Sequence, residues 1–235
     1  YALPYADYED FKVRKYGFHG TSHKYVSGVA AEVIGGEETK IIVCHLGNGA
    51  SMSAVKNGKV VDTSMGLTPL QGLMMGTRCG DLDPAAVLYV MEKRGLDAAG
   101  MDKRMNKESG LLGITGYSSD FRDIMKASKE GDERAKLAFE MFAYRVKSYI
   151  GAYSAAMGGV DAIAFTGGIG ENAALVREEI CKGLEFLGVD FDFEKNAIRA
   201  SGTVELTKPN SKVKVLKIET AEELMIANDT YRLGK

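Results

Sequence analysis

The stretch KIIVCHLGNGASMSAVKNGKVVDT, residues 40–63, decides the fold of this chain. Residues 40–46 form a continuous apolar run of strand length, residues 51–55 and 60–63 are rich in β-forming side chains, and Asn57-Gly58 separates the last two runs. An Asn-Gly pair between two such runs is the strongest short-range signal for a hairpin. The stretch therefore predicts three strands, of which the last two are joined by a tight turn.

The rest of the chain predicts alternating helices and strands. Three antiparallel strands followed by such an alternation indicate an α/β fold with a mixed sheet. In folds of this class, ligands bind at the loops that follow the strands. We predict helices over residues 22–34, 83–94, 98–107, 120–157 with a break at Gly131, 173–187 and 221–233, and further strands over residues 161–166 and 213–218.

Composition restricts the classes of function. Hydrophobic residues make up 45% and charged residues 26% of the 235 residues, and the net charge is -2. A balanced charge does not favour nucleic acid or a membrane as partner. No apolar run approaches the roughly 20 residues needed to span a bilayer, so we expect a cytoplasmic protein. The 3 cysteines include no CxxC pair, which supports neither a disulfide framework nor a zinc ribbon.

Many of the 28 glycines lie in two loops that follow predicted strands. The loops are residues 45–51, HLGNGAS, and 166–172, TGGIGEN. Glycine after a strand lets backbone N–H groups approach a phosphate, so two such loops predict phosphate binding. Gly168–Ala173 also matches G-x-G-x-x-A, with Asp190 and Asp192 about twenty residues on, which keeps a dinucleotide-binding oxidoreductase as an alternative. No G-x-x-x-x-G-K-[ST] occurs, which excludes a P-loop enzyme.

Polar side chains suited to phosphoryl transfer flank these loops. The transferred group carries charge on three oxygens, which proteins stabilise with Arg, Lys, His, backbone N–H groups and Mg²⁺. Arg78 lies in a glycine loop that we expect to be flexible, and His19 and His23 lie near the start of a predicted helix. The two histidines fit a packed, hydrogen-bonded pair equally well. A zinc site would need a third and a fourth ligand that the sequence does not show.

Six stretches of the chain form a distinctive set: YGFHGTSH (16–23), CHLGNGAS (44–51), DTSMGLTP (62–69), MGTR (75–78), DLDP (81–84) and FTGGIGEN (165–172). Together they resemble the acetate kinases, a family of phosphotransferases. The resemblance keeps the family's order and extends over essentially the whole chain.

The resemblance implies a fold and a domain organisation. Acetate kinases belong to an actin-like group in which two RNase H-like halves clamp a nucleotide. We therefore expect an RNase H-like α/β domain with a mixed five-stranded sheet flanked by helices, plus helical insertions. The chain resembles only the second half of the family protein, which fits its lack of an initial Met. Residues 1–220 would form the nucleotide-binding domain, and residues 221–235 a helix that packs on the absent first half and leaves Leu224, Ile226 and Leu233 partly exposed.

The resemblance also implies roles for individual residues. His19 and Arg78 match the family residues that stabilise the phosphoryl group in flight. Phe18 and Pro69 match the lining of a small acyl pocket, and Glu222 matches the carboxylate that binds Mg²⁺ or Mn²⁺. Nucleotide binding is implied for the phosphate loop His45, Leu46, Gly47, Asn48 and Gly49, and for the adenosine pocket Asp120, Phe121, Arg122, Gly168, Ile169, Gly170, Glu171 and Asn172.

The activity implied by the resemblance is reversible, direct in-line phosphoryl transfer from ATP to acetate, which gives ADP and acetyl phosphate. Propionate and butyrate are alternative acceptors, and a binding module without turnover is an alternative from another class. Family enzymes are homodimers, so self-association is expected. Two details of the family pattern stay open. Glu223 rivals Glu222 as the metal ligand, and Cys79 replaces an expected serine beside Arg78, whose charge would lower the thiol pKa.

Overall fold

The chain divides into two compact units, each assembled from two segments of sequence. The first unit consists of Tyr1–Phe18 and Ser64–Arg145, and the second of His19–Thr63 and Val146–Lys235. The computed structural model describes residues 1–36 and 38–234, except for the side chains of Leu224, Ile226, Asn228, Asp229 and Leu233.

Helices and strands are numbered in chain order over the described residues. The helices are α1 (Tyr5–Phe11), α2 (Gly20–Ile34), α3 (Pro84–Arg94), α4 (Ala98–Lys107), α5 (Gly110–Thr115), α6 (Phe121–Lys129), α7 (Glu133–Met157), α8 (Gly167–Asn172), α9 (Ala174–Cys181), α10 (Phe193–Ala197) and α11 (Glu222–Leu233). The strands are β1 (Lys40–Leu46), β2 (Ala50–Lys56), β3 (Lys59–Thr63), β4 (Ala162–Thr166), β5 (Val204–Glu205) and β6 (Lys214–Lys217).

The sheet lies in the second unit and has the strand order β3-β2-β1-β4-β6-β5. Strands β1, β2 and β3 are antiparallel neighbours, whereas β1, β4 and β6 run parallel. The predicted mixed sheet is confirmed, but the prediction of five strands was wrong, because the sheet has six. The missed strand, β5, has 2 residues and pairs antiparallel with β6. Two residues are too few to produce an alternating pattern in the sequence.

The Asn57-Gly58 turn joins β2 to β3 as predicted. Both residues have positive φ, 52° and 74°, as a two-residue turn of type I′ requires. The Asn57 side chain accepts a hydrogen bond from the Thr39 amide at 2.9 Å, and the Thr39 carbonyl accepts one from the Asn57 amide at 2.8 Å. The turn is thus tied to the residue that precedes β1, which helps to fix the register of the three strands.

Helix α2 packs on one face of the sheet. Val26 and Ala30 of this helix are fully buried in a cluster with Ile41 and Val43 of β1 and Ala164 of β4. Complete burial of a Val or Ile side chain contributes roughly 1.5–3 kcal/mol to stability. This layer therefore holds α2 firmly against the sheet.

Several predicted elements differ from the structure. The glycine segment predicted as a loop forms helix α8. The helix predicted over residues 173–187 is interrupted, because α9 ends at Cys181 and Glu185–Leu187 form a separate 3-10 turn. Helices α1, α5 and α10 were not predicted. They have 7, 6 and 5 residues, which leaves little periodic pattern to recognise.

Helices α3 and α4 of the first unit match their predicted ranges closely. The Asp83 carboxylate accepts a hydrogen bond from the Ala85 amide at 2.9 Å, and Pro84 occupies the first turn of α3. The Asp97 carboxylate accepts a hydrogen bond from the Gly100 amide at 2.7 Å and caps α4 in the same way. These caps explain why the two helix starts could be predicted well.

Helix α11 contacts α2 within the second unit. The expected exposure of Leu224, Ile226 and Leu233 concerns side chains outside the described residues. The packing of residues 221–235 on a further domain stays a prediction. Among the described helices, none combines the length and the apolar character needed to cross a bilayer.

Candidate functional site

Three segments leave the sheet of the second unit at one edge. In the parallel pair β1–β4, His45 lies opposite Thr166, and β6 runs parallel to β4 on its other side. The carboxyl ends of parallel strands are the usual place for a ligand in an α/β fold. The segments that begin side by side at this edge are residues 47–49, 167–172 and 218–222.

The two glycine segments contact each other, as a shared site requires. Gly167 has a φ of +78°, and a Cβ atom placed on it would lie 2.8 Å from the Leu46 carbonyl oxygen. Any larger residue would push the two segments apart. The second segment differs from the expected open loop, because α8 begins at Gly167 directly after β4. The binding of phosphate here stays a prediction.

The Glu171 carboxylate connects α8 to the segment that precedes α11. Its Oε1 atom accepts hydrogen bonds from the Gly167 amide at 2.9 Å, the Thr220 amide at 3.2 Å and the Thr166 hydroxyl at 3.3 Å. The resemblance implied that Glu171 belongs to an adenosine pocket. In the structure this oxygen binds three protein donors and so braces the edge of the sheet.

Arg177 supports the other end of α8. Its side chain is 4% exposed, and its Nη1 atom donates hydrogen bonds to the carbonyls of Gly170 at 2.8 Å and Glu171 at 2.9 Å. Its Nε atom donates to the Asn196 side chain at 2.8 Å. A pocket of about 640 Å³ adjoins this support and is lined in part by Glu171 and Asn172 of the predicted adenosine pocket. Pockets of roughly 300–1,000 Å³ are typical of small-molecule sites.

All 3 histidines of the chain lie together at this edge. His19 immediately precedes α2 and has left-handed backbone, with a φ of 59°. Such backbone is rare outside glycine and is concentrated at functional sites. The His19 ring stacks on His45, with centroids 4.2 Å apart and planes inclined by 20°. The His23 ring centroid lies 6.5 Å from that of His19 and 6.2 Å from that of His45.

Serine hydroxyls connect two of these rings. The Oγ atom of Ser51 lies 2.8 Å from Nδ1 of His19 and 2.7 Å from Nε2 of His23. Nδ1 of His23 lies 2.8 Å from Oγ of Ser53. Ser51 and Ser53 were not predicted as site residues. Their alternation along β2 places them on one face of the sheet and was the signal that could have found them.

His45 has a separate hydroxyl partner. Its Nδ1 atom lies 2.8 Å from Oγ of Ser22, which accepts a hydrogen bond from the Thr220 hydroxyl at 3.1 Å. Thr220 also donates its backbone N–H to Glu171. One network therefore joins α2, β1, α8 and the segment before α11.

Burial keeps two of the three histidines neutral. Burial, with smaller effects from His45 and His19, lowers the pKa of His23 to about 3. Burial, followed by the charge of His19, lowers the pKa of His45 to about 4. Both rings are therefore uncharged at neutral pH, and each carries one proton.

The residues that could hold a metal ion are exposed carboxylates. Glu222 and Glu223 both lie exposed in the first turn of α11. Mg²⁺ usually binds one or two carboxylates together with substrate phosphates, so the chemistry of either side chain fits this ion. Within residues 1–36 and 38–234, no group of three or more His, Cys, Asp or Glu side chains is arranged to hold a metal. The histidines form a hydrogen-bonded cluster, which was one of the two interpretations of the His19 and His23 spacing.

In the first unit, the structure brings Arg78 and Pro69 together. The Arg78 guanidinium donates a hydrogen bond to the Pro69 carbonyl at 3.0 Å. The loop is not the flexible segment that we expected. The Met75 amide donates to the Arg78 carbonyl at 3.0 Å, and the Leu111 amide donates to the Met75 carbonyl at 2.9 Å. Gly110 packs so closely that a Cβ atom on it would lie 2.7 Å from the Arg78 carbonyl oxygen, so the start of α5 holds this loop in place.

The other predicted site residues of the first unit differ in exposure. The Asp120 carboxylate accepts hydrogen bonds from the Arg122 amide at 2.8 Å and from its Nε atom at 3.0 Å. Hydrogen bonding to the exposed Arg122 side chain lowers the pKa of Asp120 to about 2. Phe121 is buried, with its ring centroid 5.0 Å from that of Phe142. Phe18, predicted for the acyl pocket, is 37% exposed.

The predicted electrostatic effect on Cys79 was wrong. We expected Arg78 to lower the thiol pKa, but burial, as the largest cause, raises it. The Cys79 thiol donates a hydrogen bond to the Gly80 carbonyl at 3.2 Å. Cys44 and Cys181 are buried, and burial raises the pKa of both thiols.

Asp190 and Asp192, the two acidic residues on which the dinucleotide-binding alternative depends, both have nearby structural partners. The Asp192 carboxylate accepts a hydrogen bond from the Lys195 amide at 2.9 Å and caps α10. The Asp190 carboxylate pairs with Lys208 at 3.1 Å. The structure therefore gives this alternative no support.

Comparison with known proteins identifies relatives over the full length of the chain. The sequence matches the model of the acetokinase family over residues 1–228. The acetate kinase of Fusobacterium nucleatum is 66% identical over 236 residues, which cover 100% of this chain and 59% of that protein. The acetate kinase of Caldicellulosiruptor bescii is 61% identical and is also covered to 59%. The chain thus spans 59% of the length of these curated relatives.

Solved structures agree with these matches. The acetate kinase of Porphyromonas gingivalis superposes with a TM-score of 0.97 at 52% identity, over 100% of this chain and 59% of that chain. A propionate kinase from Francisella tularensis superposes with a TM-score of 0.90 at 45% identity, over 97% of this chain and 58% of that chain. These matches confirm the expected α/β fold with a mixed sheet flanked by helices, with six strands in place of five.

Proposed function

The chain belongs to the acetokinase family, and on that premise we propose that it is the nucleotide-binding portion of an acetate kinase. Such an enzyme transfers the γ-phosphoryl group of ATP reversibly to acetate. One observation carries the proposal: the stacked rings of His19 and His45 lie at the strand ends where two glycine segments meet. This arrangement offers ring and backbone N–H donors to phosphate oxygens.

The proposed reaction is a direct in-line transfer. An acetate oxygen attacks the γ-phosphorus, the bond to the bridging oxygen of ADP breaks, and negative charge spreads over three equatorial oxygens. His19 and Arg78 would stabilise these oxygens through ring and guanidinium N–H groups. The hydrogen bonds and close packing that hold the Arg78 loop suit a donor that must be in position before the transfer.

We assign the nucleotide phosphates to His45–Gly49 and the nucleoside to Gly168–Asn172. The pocket of about 640 Å³ beside α8, with Asn172 in its wall, supports the second assignment. The same role in nucleoside binding is proposed for Asp120–Arg122. There the exposed guanidinium of Arg122, already oriented by Asp120, would supply a flat surface for a base.

Mg²⁺ or Mn²⁺ would accompany the nucleotide. Glu222 would hold the ion, and Glu223 is the rival one position further along α11. The ion would neutralise charge on the phosphates when bound. The hydrogen bond from the Thr220 amide to Glu171 would orient the start of α11 for this role.

Acetate is the proposed acceptor because Phe18 and Pro69 would line a small apolar pocket. Two apolar side chains favour a methyl group over a polar substituent. Propionate is the second candidate, since the solved propionate kinase is 45% identical to this chain. Butyrate is a weaker third candidate that rests on the family pattern.

Cytoplasmic location and a homodimer are also proposed. The net charge of -2 supports the absence of nucleic-acid and membrane partners. Exposed apolar side chains on α1 and α3 support self-association, since exposed apolar surface favours protein contacts. Residues 1–220 would act as the nucleotide-binding domain, and residues 221–235 would pack on a further domain of the longer protein.

Binding and turnover measured on the same sample test the proposal. We expect calorimetry to detect binding of MgATP and MgADP to the 235-residue chain and no binding of NADH. Trapping of acetyl phosphate with hydroxylamine, with acetate, propionate and butyrate in parallel, reports turnover and acceptor preference. Binding without turnover would identify a binding module that needs the rest of its protein. Binding of NADH without binding of ATP would refute the kinase assignment.

A matched pair of glycine variants locates the nucleotide site. Gly167→Ala would force Leu46 away, and for this reason it should weaken MgADP binding at least about 10-fold. A 10-fold loss of affinity corresponds to about 1.4 kcal/mol of binding free energy. Gly202→Ala is the control, since Gly202 has a φ of +71° but a Cβ atom there would meet nothing within 4 Å. Equal affinities of the two variants would exclude the Gly167 contact from the site.

A further inference from the structure

We propose that Ser51 and Ser22 are positioning residues that fix His19 and His45 as neutral rings with the proton on Nε2, so that each ring donates a hydrogen bond to a phosphoryl oxygen. The inference rests on the proposed function only in naming that oxygen as the acceptor. The tautomers themselves follow from a count of the protons in the hydrogen bonds around the two serines.

The count begins at Ser53, whose side chain is 1% exposed. Among the described residues, its hydroxyl bonds to Nδ1 of His23, at 2.8 Å. A hydroxyl group has one proton to donate. A buried hydroxyl proton without an acceptor costs more free energy than a hydroxyl oxygen with an unused lone pair. The Ser53 hydroxyl therefore donates to Nδ1 of His23.

The direction of this bond determines the next two. A neutral His23 that accepts at Nδ1 has its proton on Nε2, and this proton points to Oγ of Ser51 at 2.7 Å. The proton of Ser51 is then directed to its other partner, Nδ1 of His19, at 2.8 Å. His19 accepts at Nδ1, so as a neutral ring it has its proton on Nε2.

His45 reaches the same state through separate residues. The Thr220 hydroxyl donates to Oγ of Ser22 at 3.1 Å. The proton of Ser22 is then directed to Nδ1 of His45 at 2.8 Å. His45 therefore also has its proton on Nε2. This result does not depend on Ser53, His23 or Ser51.

Stacking of the two rings favours neutral donors. The centroids of His19 and His45 lie 4.2 Å apart, and two positive rings at that separation would repel each other. A neutral imidazole can place its proton on either nitrogen, so a serine at Nδ1 selects the donor form in advance. A donor that is oriented before the charge develops needs no rearrangement during the transfer.

Nitrogen-15 NMR of the histidine-labelled chain tests the tautomers near neutral pH, because protonated and unprotonated ring nitrogens resonate far apart. The 3 histidines give three pairs of ring signals, which single His→Gln variants assign. We expect a protonated Nε2 and an unprotonated Nδ1 for both His19 and His45. A proton on Nδ1 of either ring, or on both nitrogens of either ring, would overturn the inference.

Two matched variants test the serines, each acting on one ring. Ser51→Ala should shift the His19 signals towards those of a tautomer mixture and leave the His45 tautomer unchanged, and Ser22→Ala should do the reverse. Ser51→Thr, which keeps the hydroxyl, should restore the His19 signals. If both alanine variants leave the signals of their histidine in place, the serines have no positioning role. If an alanine variant fails to fold, the tautomers of the unaltered chain still decide the question.

Addition of MgADP to the labelled chain separates this inference from the proposed function. Correct tautomers in a chain whose signals do not respond to MgADP would refute the nucleotide-binding function and leave the tautomers standing. Wrong tautomers in a chain that binds MgADP would refute the inference and leave the function standing.

Discussion

Replacement of Gly110 by alanine should destabilise the first unit and displace the Arg78 loop. Gly110 has a φ of +61°, which costs a residue with a Cβ atom about 1–2 kcal/mol. The new Cβ would also lie 2.7 Å from the Arg78 carbonyl oxygen and 3.1 Å from the Arg78 amide nitrogen. Relief of such overpacking costs about 1–3 kcal/mol. We therefore expect Gly110→Ala to lower the free energy of unfolding by about 2–5 kcal/mol in urea titrations followed by circular dichroism.

Gly95→Ala is the matched control for this prediction. Gly95 lies in the same unit with a φ of +62°, but a Cβ atom on it would meet nothing within 4 Å. This variant should lose only the backbone contribution, so the difference between the two variants isolates the close contacts with the backbone of Met75 and Arg78, at about 1–3 kcal/mol. Equal destabilisation by the two substitutions would refute the reasoning that close packing against Gly110 holds the loop.

Three further predictions concern protonation, the brace at the sheet edge and the thiols. The folded-state pKa values of His23 and His45 are lowered, so the unfolded chain binds more protons below about pH 6.5. The free energy of unfolding should therefore fall by about 1.4 kcal/mol per histidine for each pH unit between about pH 6.5 and about pH 4. Urea unfolding at pH 7 and pH 5 measures this slope, and a free energy of unfolding that does not change with pH would contradict the prediction. Glu171→Ala should lower the free energy of unfolding by about 1–3 kcal/mol, because two backbone amides lose their acceptor. Glu171→Gln keeps an acceptor oxygen and should lower it less. Equal melting temperatures of the two variants would argue against a stabilising role of these hydrogen bonds at the sheet edge. Iodoacetamide should modify Cys79 slowly and Cys44 not at all in the folded chain, because burial raises the pKa of both thiols and Cys44 is fully buried. Peptide mass spectrometry measures the modification of each cysteine. Modification of Cys44 before Cys79 would contradict this prediction.

Local sequence signals explain which elements could be predicted. The strands β1 to β3 could be located because an apolar run and the Asn57-Gly58 turn mark them. Helix α8 could not, because three glycines in six residues are typical of a loop. The helix forms because the Glu171 side chain bonds back to the Gly167 amide, and because α8 is held at its end by Arg177. The two contacts span only 4 and 7 positions, but side chains make them, so the low helix propensity of the glycine run gives no sign of either.

The candidate site was predictable in its residue types and not in its connections. His19 and His45 stood out because their stretches resemble a known family. The hydrogen bond between His19 and Ser51 joins residues 32 positions apart, and the bond from the Thr220 amide to Glu171 joins residues 49 positions apart. Such contacts follow from the register of β1 with β2 and β4, which is fixed only when the sheet is complete. The serine hydroxyls that control the rings could therefore be found only in the structure.

The parallel pairing of β1 with β4 has a consequence for biosynthesis. His45 and Thr166 lie opposite each other, yet about 120 residues separate them, and ribosomes add about 5–20 residues per second. The β1–β3 block can pair soon after it emerges, but β1 then waits roughly 5–20 s for β4 to be made. During that time one edge of β1 is open to pairing with other nascent chains, which is a route to aggregation. Slow translation of residues 64–161 should therefore increase the demand for chaperones, and a nascent chain released before β4 should aggregate.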